Sequence, residues 1–463
     1  MEGVQMEFEF WVLQYLFTTL HFIAIALFLA DLLRQKKSPT STLAWFFFVL
    51  ITPYVGLVLY LIFGNRKFRS VKPQIVSREI IPLSDMTNSL QTVLLANGSP
   101  AACYNQKVEF LETGEEAFHK MSELIRSAKE FIYLETYVFS NDEVGKKILD
   151  LLTETLSRGV KVKIILDSLG ARFPGHPSFK EFQKAGGEVA FFMPLFHQPF
   201  KGRANLRNHR KLLVVDREVA IVGGMNIAHE YLGPEPDESR WVDLGFILTG
   251  YIVLQLEELF LKDWAFATHQ PNVHLQTVSI NQPSDHEHIL QLVHGGPDNE
   301  ADPIYELLLT AIYEARKRIW IATPYFVPDE SLVRALEMAS KRGVEVRLLI
   351  PKKSNHLLAD LGRRTYLKQM QDAGVRVFQF PKMIHAKATL VDEDFGLIGS
   401  ANMDTRSLLI NYELGVCLYS AQDIQMMEEW FILRFEDCFE GFPELRRRDE
   451  WIGGLARLLG PLI

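Results

Sequence analysis

Cysteine is scarce in this chain, and positive charge is not in excess. Only Cys103, Cys417 and Cys438 occur, and they are far apart, so the sequence offers neither a disulfide framework nor a cysteine-based zinc site. The 49 Lys and Arg residues are outnumbered by 57 Asp and Glu residues, which gives a net charge of −8. Because proteins hold nucleic-acid phosphates with clustered positive charge, we expect no nucleic-acid partner.

Charged side chains are also missing from two long runs near the N-terminus. Residues 11–30 contain none, and as a helix they would reach roughly 30 Å, the thickness of a bilayer core. Residues 42–63 form a second uncharged run, which contains Pro53 and Gly56. We therefore predict that residues 1–70 form a transmembrane helical hairpin whose two spans make the protein multi-pass.

The residues that flank these runs help to distinguish membrane spans from a cleaved signal peptide. Glu2, Glu7 and Glu9 precede the first run, and this is the wrong charge for a cleaved signal peptide. A buried, soluble hairpin is the remaining alternative. Lysine and arginine follow both runs, so the positive-inside rule gives no orientation.

The rest of the chain reads as two similar halves. The segment 158–166 (RGVKVKIIL) resembles 342–350 (RGVEVRLLI), and each lies among alternating helical and short β-branched patterns. Such alternation is typical of α/β domains. We predict one domain at 71–285 and a second at 286–463, with the boundary in the polar stretch 270–302, where His286, Glu287 and His288 belong to a solvated loop.

Each half contains the polar motif H-x-K-x4-D-x6-G-[GS]-x-N. The eight fixed polar residues are His209, Lys211, Asp216 and Asn226 in the first half and His385, Lys387, Asp392 and Asn402 in the second. A histidine and a lysine two residues apart on a strand point to the same face. Two such half-sites facing each other would surround a phosphodiester with imidazole, ammonium and amide groups.

This arrangement suits nucleophilic catalysis at phosphorus. One imidazole would attack the phosphorus while the other donates a proton to the leaving alcohol. Each histidine needs a carboxylate behind its other nitrogen, and Asp243 and Glu413 are the candidates. Asp216 and Asp392 lie seven residues from their histidines, so we predict a structural role for both.

The paired motifs resemble those of the phospholipase D superfamily. The segments 205–211 (NLRNHRK), 226–233 (NIAHEYLG) and 296–298 (GPD), together with the N-terminal hairpin, are similar to the bacterial cardiolipin synthase family within it. The sequence departs from this family at Arg217, where glycine is common, and at Ala386, where serine is common. These departures leave the acceptor of the reaction in question.

The resemblance implies two α-β-α sandwich domains related by a pseudo-two-fold axis, with one active site between them. It implies an enzyme of the bacterial inner membrane that joins two phosphatidylglycerol molecules into cardiolipin and glycerol through a covalent phosphatidyl-histidine, with no metal or other cofactor. Phosphatidylglycerol, other phospholipids and the bilayer are the implied partners. Carried over by position, the catalytic set is His209, Lys211, Asp216, His385, Lys387 and Asp392, and Asn226 and Asn402 bind phosphate with the two lysines.

Several alternatives stay open at the sequence level. The same motifs fit a phospholipase D-type hydrolase, or a transphosphatidylase using phosphatidylethanolamine or another alcohol. A membrane-anchored nuclease and a non-catalytic lipid-binding scaffold are less favoured. We expect the phosphoenzyme on His209, and the sequence indicates no oligomeric state.

Two further segments have more than one interpretation. Lys201, Arg203, Arg207 and Arg210 form a basic patch for lipid headgroups or solvate a loop. The C-terminal stretch 451–463 lies on the membrane surface or packs on the second half.

Overall fold

The computed structural model describes residues 2–35, 37, 39–64, 66–67, 74–75, 88–170, 177–193, 205–270, 272–273, 288–444 and 447–458. The chain divides into two compact units, an N-terminal helical unit that ends at Arg66 and an α/β unit that begins at Lys67. The predicted domain boundaries at residues 70/71 and 285/286 lie outside the described residues.

The N-terminal unit contains three helices. They are α1 (Glu2–Arg34), α2 (Pro39–Ile51) and α3 (Pro53–Phe63). Within the described residues, only Glu9–Arg34 of α1 is a helix long and apolar enough to cross a membrane. The first predicted span therefore lies inside one continuous helix.

The second predicted span is not one helix. It breaks at Thr52, and α3 folds back on α2: a Cβ atom on Gly56 would lie 2.8 Å from the Cα atom of Val49, and the rings of Trp45 and Tyr60 are 5.3 Å apart. In a straight helix, residues seven apart would be separated by about 10 Å. The prediction of a single crossing over 42–63 is therefore wrong. The break occurs because Pro53 has no N–H to continue α2 and instead begins α3.

The α/β unit begins its regular structure after Lys67. Its helices are α4 (Ser89–Ala96), α5 (Gly114–Ser127), α6 (Glu143–Leu156), α7 (Pro177–Lys184), α8 (Tyr251–Thr268), α9 (Pro303–Glu314), α10 (Glu330–Lys341), α11 (Leu357–Asp372), α12 (Thr405–Leu409), α13 (Ala421–Glu436) and α14 (Arg447–Leu458).

The strands of the first half come first in the chain, and two of them are only two residues long. They are β1 (Gln74–Ile75), β2 (Cys103–Leu111), β3 (Phe131–Thr136), β4 (Lys161–Asp167), β5 (Glu188–Phe192), β6 (Leu212–Val215), β7 (Val219–Gly223), β8 (Gly245–Gly250) and β9 (Asn272–Val273). Those of the second half are β10 (His288–Gly295), β11 (Arg318–Ala322), β12 (Phe326–Val327), β13 (Glu345–Pro351), β14 (Arg376–Phe380), β15 (Ala388–Val391), β16 (Phe395–Gly399), β17 (Met403–Asp404), β18 (Glu413–Leu418) and β19 (Phe439–Glu440).

One mixed sheet runs through both halves. Across the described residues its order is β19-β14-β13-β11-β15-β16-β18-β10-β2-β8-β7-β6-β3-β4-β5. Read outward from the centre, β10-β18-β16-β15-β11-β13-β14 repeats β2-β8-β7-β6-β3-β4-β5. The central strands β2 and β10 are antiparallel, with Leu290 opposite Cys103. The two halves are thus related by a pseudo-two-fold axis, which confirms the predicted duplication.

Helices cover both faces of this sheet. One face packs on α8 and α13, through side chains that include Phe260 and Phe431. The other face packs on α5–α7 in the first half and on α9–α11 in the second. This layering confirms the predicted α-β-α sandwich in each half, and each fully buried Leu or Phe contributes roughly 2 kcal/mol to it.

Matching turns show how closely the halves repeat. Asp142 accepts a hydrogen bond from a backbone N–H at the start of α6, and Asp329 does the same for α10. After these helices, Gly159 and Gly343 adopt φ values of 84° and 88°, a region that favours glycine. The repeated Arg-Gly pairs of the sequence therefore end equivalent helices.

The predicted polar linker at 270–302 contains a buried strand. His288 opens β10 at the centre of the sheet, and its Nδ1 atom lies 2.8 Å from the carboxylate of Asp423. The prediction of a solvated loop is wrong for His288, while His286 and Glu287 lie outside the described residues. The run of apolar residues 289–293 was the signal for this strand.

Candidate active site

The two histidines of the repeated motif occupy equivalent places in the two halves. His209 and Lys211 immediately precede β6, and His385 and Lys387 immediately precede β15. The backbone of each histidine is held by the opposite half. The N–H of His209 donates to the carbonyl of Tyr412 at 2.9 Å, and that of His385 donates to the carbonyl of Val242.

The ring of His209 is held by residues of the second half. Its Nδ1 atom lies 3.1 Å from the Oε2 atom of Glu413 and 3.1 Å from the carbonyl oxygen of Ser400. The ring of Tyr137 packs edge-on against it, with centroids 5.1 Å apart. With Nδ1 engaged, the Nε2 atom of His209 is the nitrogen left for a substrate.

The ring of His385 is held by residues of the first half. Its Nδ1 atom lies 2.7 Å from the Oδ2 atom of Asp243. Tyr231 and Trp241 pack against the ring, with centroids at 5.0 and 5.6 Å. The structure therefore brings both predicted carboxylates to the predicted histidines. Each carboxylate belongs to the half opposite the one that carries its histidine.

Both carboxylates are ionised in this setting. Burial by itself would raise the pKa of Glu413, but His209 and Lys211 outweigh it and hold that pKa below its ordinary value. Burial is likewise outweighed for Asp243, whose pKa is lowered by Lys387 and His385. An ionised carboxylate accepts the Nδ1–H proton and fixes one tautomer of each ring.

Both lysines lie beside their own histidines. The Nζ atom of Lys211 donates to the carbonyl of His209 at 2.6 Å. The Nζ atom of Lys387 donates to the carbonyl of His385 and lies 2.7 and 3.1 Å from the Nδ1 and Nε2 atoms of that ring. Burial lowers the pKa of Lys387 to about 8, and burial together with Lys387 lowers the pKa of Lys211 well below its ordinary value.

Electrostatic effects link the two half-sites. Burial lowers the pKa of His209, and the charges of Lys211 and Lys387 lower it further. Burial also lowers the pKa of His385 to about 3, with help from Lys387 and Lys211. Each histidine thus responds to the lysine of the other half. Burial and the two lysines therefore favour the neutral form of both rings.

The two asparagines line the turns that follow β7 and β16. Asn226 accepts a hydrogen bond from the backbone N–H of Val138 at 3.1 Å, which ties it to the segment after β3. The Nδ2 atom of Asn402 donates to Ser407 at 3.2 Å, and its buried Oδ1 atom has no hydrogen-bond partner. Among the described residues, no group of three or more His, Cys, Asp or Glu side chains could hold a metal ion.

The two motif aspartates lie away from the histidines. Asp216 accepts hydrogen bonds from the backbone N–H groups of Lys129, Glu130 and Phe131. Asp392 accepts the equivalent three, from residues 316–318. Both aspartates adopt a left-handed backbone, with φ values of 54° and 50°. They anchor the turn after β6 or β15 to the start of the neighbouring strand.

Sequence reasoning missed a buried cluster behind His209. Arg210 donates to Asp263, to the carbonyl of Gly295 at 3.0 Å and to the carbonyl of Glu413 at 3.3 Å. Burial and the charge of Asp263 raise the pKa of the neighbouring Glu135. The signal was available, because a residue between His209 and Lys211 must point to the opposite face of the strand.

The predicted basic patch is wrong for its two described members. Arg210 is buried in the cluster above, and Arg207 is buried in an ion pair with Asp167, with 3.3 Å between Nη1 and Oδ1. Neither guanidinium is a solvated surface group. The other two predicted members, Lys201 and Arg203, lie outside the described residues.

Comparison with protein families agrees with the duplicated motif. The model described as "Cardiolipin synthase, PLD-like domain" matches residues 121–264 and 308–434, one segment in each half. The model described as "Phospholipase_D-nuclease N-terminal" matches residues 23–65.

Curated relatives extend this similarity over nearly the whole chain. Cardiolipin synthase 1 of Bacillus anthracis is 32% identical over 438 residues, which cover 89% of this chain and 85% of the relative. A cardiolipin synthase of Listeria monocytogenes is 31% identical over an alignment of 471 positions, which covers 96% of each chain.

Solved structures share the fold at lower identity. Phosphatidylserine synthase of Haemophilus influenzae superposes with a TM-score of 0.61 and 17% identity, over 81% of this chain and all of that one. Polyphosphate kinase of Porphyromonas gingivalis gives a TM-score of 0.52 and 15% identity, over 77% of this chain and 54% of that one. From its duplicated motifs, its family matches and its relatives, this chain belongs to the bacterial cardiolipin synthase family of the phospholipase D superfamily.

Proposed function

We propose that this protein is a membrane phosphatidyltransferase that condenses two phosphatidylglycerol molecules into cardiolipin and glycerol. The observation that carries the proposal is the pair of carboxylate–histidine contacts, Glu413 with His209 and Asp243 with His385. Two oriented imidazoles beside two ammonium groups supply a nucleophile, a proton donor and binding groups for one phosphodiester.

In the first step, the Nε2 atom of His209 attacks the phosphorus of the first phosphatidylglycerol. The bond from phosphorus to the glycerol headgroup oxygen breaks, and His385 gives that oxygen its proton. Glycerol leaves, and the phosphatidyl group stays on His209 through a P–N bond. Glu413 stabilises the positive charge that develops on the imidazole.

In the second step, the headgroup hydroxyl of a second phosphatidylglycerol attacks the same phosphorus. His385 now takes the proton of that hydroxyl, the P–N bond breaks, and His209 returns to its neutral form. The product is cardiolipin, and no proton or electron is left over. If water takes the place of the hydroxyl, the product is phosphatidic acid.

The assignment of His209 as nucleophile is supported by the difference between the rings. The side chain of His209 is 12% exposed, against 4% for His385, so the phosphorus of a lipid reaches it more easily. Lys387 lies within 3.1 Å of both ring nitrogens of His385, so its charge acts directly on that ring. Lys211 instead bonds the backbone of His209.

The phosphoryl oxygens would be held by the four remaining polar groups of the motifs. Lys211 and Lys387 supply positive charge, and Asn226 and Asn402 supply amide groups at the turns beside them. An incoming phosphodiester adds one negative charge to a buried site that holds two neutral imidazoles. This charge favours uptake of the proton that His385 needs.

The test of this proposal is product analysis with defined lipids. Purified full-length enzyme with phosphatidylglycerol, without nucleotide, should release one glycerol per cardiolipin, and enzyme quenched in a neutral denaturant should carry a phosphatidyl group on His209. Phosphatidic acid in place of cardiolipin would show a hydrolase. Product formed only with phosphatidylethanolamine or another alcohol would show a different acceptor, and product formed only from a cytidine-activated lipid would overturn the proposal.

We further propose that the protein lies in the bacterial cell membrane, with α1 crossing it and the α2–α3 pair inserted beside the crossing. At 13 and 11 residues, α2 and α3 reach only about 20 and 17 Å, less than a bilayer core. A folded-back pair that does not cross puts the start of α1 and the α/β unit on opposite sides. A multi-pass arrangement puts them on the same side.

Cysteine labelling separates these arrangements. Glu2→Cys and Lys107→Cys, each in a Cys438→Ser background, would be treated with a membrane-impermeant maleimide in sealed vesicles. We expect labelling from opposite sides, because α3 returns along α2. Labelling of both positions from the same side would establish the multi-pass form.

A further inference from the structure

Arg210 lies between the motif residues His209 and Lys211 in the chain, but its side chain enters a buried cluster behind them. Its charged partner there is Asp263, and Glu135 is the third charged member. We call these three residues the arginine cluster. All three are at least 95% buried. Burying charged groups is costly unless they are paired and hydrogen-bonded, so the contacts of the cluster indicate what it is for.

The guanidinium of Arg210 reaches from the first half of the chain to the second. Its Nη1 atom donates to Asp263 on α8, its Nη2 atom to the carbonyl of Gly295 at 3.0 Å, and its Nε atom to the carbonyl of Glu413 at 3.3 Å. Gly295 ends β10 and lies directly opposite Glu413, which begins β18. One side chain therefore fixes two paired strands of the second half to the motif of the first.

Arg210 contacts both residues that hold His209. The carbonyl of Tyr412 accepts the backbone N–H of His209 at 2.9 Å, and the carboxylate of Glu413 lies 3.1 Å from its Nδ1 atom. The Cζ atom of Arg210 lies 5.2 Å from the centroid of the Tyr412 ring, and its Nε atom bonds the Glu413 backbone. A 3.1 Å contact is near the long end of the N–H···O range, so a small shift of Glu413 would weaken it.

A proton explains how two carboxyl groups share one guanidinium in the arginine cluster. Asn208 donates to the Oε1 atom of Glu135, whereas the buried Oε2 atom has no donor in the described part of the chain. Burial and the charge of Asp263 raise the pKa of Glu135 well above its ordinary value. A proton on Glu135 lets that residue donate to Asp263. The cluster then holds one positive and one negative charge, which a buried site tolerates.

The second half replaces two members of the arginine cluster by alanine. Ala386 stands in the second motif where Arg210 stands in the first. Ala322 stands in the place of Glu135, because each lies opposite the residue that follows the motif lysine. Both alanines are buried. The two interacting residues are thus replaced together, and the half that loses them is the half that carries His385.

We propose that Arg210 is a positioning residue for the nucleophile, which holds Glu413 against the Nδ1 atom of His209. Asp263 and Glu135 hold Arg210 in turn. The inference rests on the proposed function, which assigns the attack on phosphorus to His209. A fixed carboxylate keeps the ring in the tautomer whose Nε2 atom is free to attack, and groups behind such a carboxylate fix its position.

A double-mutant cycle in the full-length enzyme tests this role. Arg210→Met should slow the burst of nitrophenol from a p-nitrophenyl phosphodiester, which reports attack by His209, by about 10- to 100-fold. In a Glu413→Gln background the same change should slow the burst by less than about threefold, because the carboxylate that Arg210 positions is already gone. In an Asp243→Asn background the full factor should remain. Equal factors in all three backgrounds would show a general structural role and overturn the proposal.

A second variant and a matched control complete the cycle. Asp263→Asn keeps the shape of the cluster, so it should show the same pattern with a smaller factor even if Arg210→Met fails to fold. The control is Arg318→Met. Arg318 also joins a carboxylate, Glu428, to a backbone carbonyl, that of Asp392, at the end of β11 farthest from the second motif. It should lower Tm without slowing the burst. Equal slowing by this control would overturn the positioning role.

Chemical modification separates this inference from the proposed function. Diethyl pyrocarbonate acylates neutral imidazoles, and peptide mass spectrometry measures the rate at each histidine without any lipid. Arg210→Met should slow modification of His209 by roughly tenfold, leave that of His385 unchanged, and have little further effect in the Glu413→Gln background. An unchanged rate at His209 would overturn the positioning role. If the expected pattern appears but phosphatidylglycerol yields no cardiolipin, the proposed function fails and the positioning of His209 stands.

Discussion

The two half-sites share a motif but not their surroundings. His209 stands beside Tyr137 with its side chain 12% exposed, whereas His385 is enclosed by Tyr231 and Trp241 and is 4% exposed. The position equivalent to Tyr231, five residues after the motif asparagine, is Ser407 in the second half. Residues outside the repeated motif therefore break the symmetry and allow one imidazole to attack while the other transfers protons.

The largest effect should come from removing either histidine. His209→Ala and His385→Ala should each lower the rate with phosphatidylglycerol by about 10⁴-fold or more, because a nucleophile or a positioned acid is lost. A p-nitrophenyl phosphodiester substrate distinguishes the two variants more clearly, because its leaving group needs no proton. His385→Ala should still release nitrophenol in a burst, and His209→Ala should not.

A control for this comparison is His119→Ala, since His119 is exposed and far from both motifs in the sequence; we expect near-normal activity. If His209→Ala released a burst of nitrophenol and His385→Ala did not, His385 would be the nucleophile and His209 the proton-transfer residue.

The next largest effect should come from the two carboxylates. Asp243→Asn and Glu413→Gln should lower kcat by about 10²–10⁴-fold, because an amide no longer selects the ring tautomer or stabilises the imidazolium. The loss should be greater for Asp243→Asn. Asp243 lies 2.7 Å from its histidine, whereas Glu413 lies at 3.1 Å and shares His209 with the carbonyl of Ser400. Equal losses of kcat, measured by steady-state kinetics, would show that the difference between these two contacts does not affect catalysis.

A smaller effect should appear in the pH dependence of kcat/KM. Burial lowers the pKa of Lys387 to about 8, so the free enzyme keeps this charge below pH 8 and loses it as the pH rises further. We expect kcat/KM for phosphatidylglycerol to fall above about pH 8. Lys387→Arg should move this fall to higher pH, since a guanidinium stays protonated. An unchanged profile in that variant would assign the alkaline limb to another group.

The smallest effect on turnover should come from the motif aspartates. Asp216→Asn and Asp392→Asn should each cost about 1–3 kcal/mol of stability, because three backbone N–H groups lose a charged acceptor. Asparagine tolerates a positive φ, so the backbone conformation is kept. Thermal unfolding should shift downward by a few degrees while kcat of the folded enzyme stays near normal. A large loss of kcat without a shift in Tm would place these residues in the chemistry.

Much of the site could be predicted from the sequence because its chemistry is local. Strand geometry puts His209 and Lys211 on one face, and the same spacing recurs at His385. The carboxylates were predictable from the need to orient each ring. The enclosure of His385 by Tyr231 was not, because it depends on how distant segments meet.

Two errors have a common physical origin. Hydropathy measures how apolar a segment is but not whether the chain turns within it. The turn at Thr52 was therefore not predicted, although Pro53 was a signal for it. The charged neighbours of His288 likewise suggested a loop, yet it lies in the central strand β10, opposite Asn105. In both places tertiary packing decided the outcome.

The exchange of carboxylates between halves makes the catalytic unit indivisible. Neither half, expressed alone, would contain a histidine with its own proton acceptor, since Glu413 serves His209 and Asp243 serves His385. Mixing full-length His209→Ala chains with His385→Ala chains should therefore restore no turnover, because each chain closes its own defective site. An ancestor with one copy of the motif could have worked only as a pair of identical subunits.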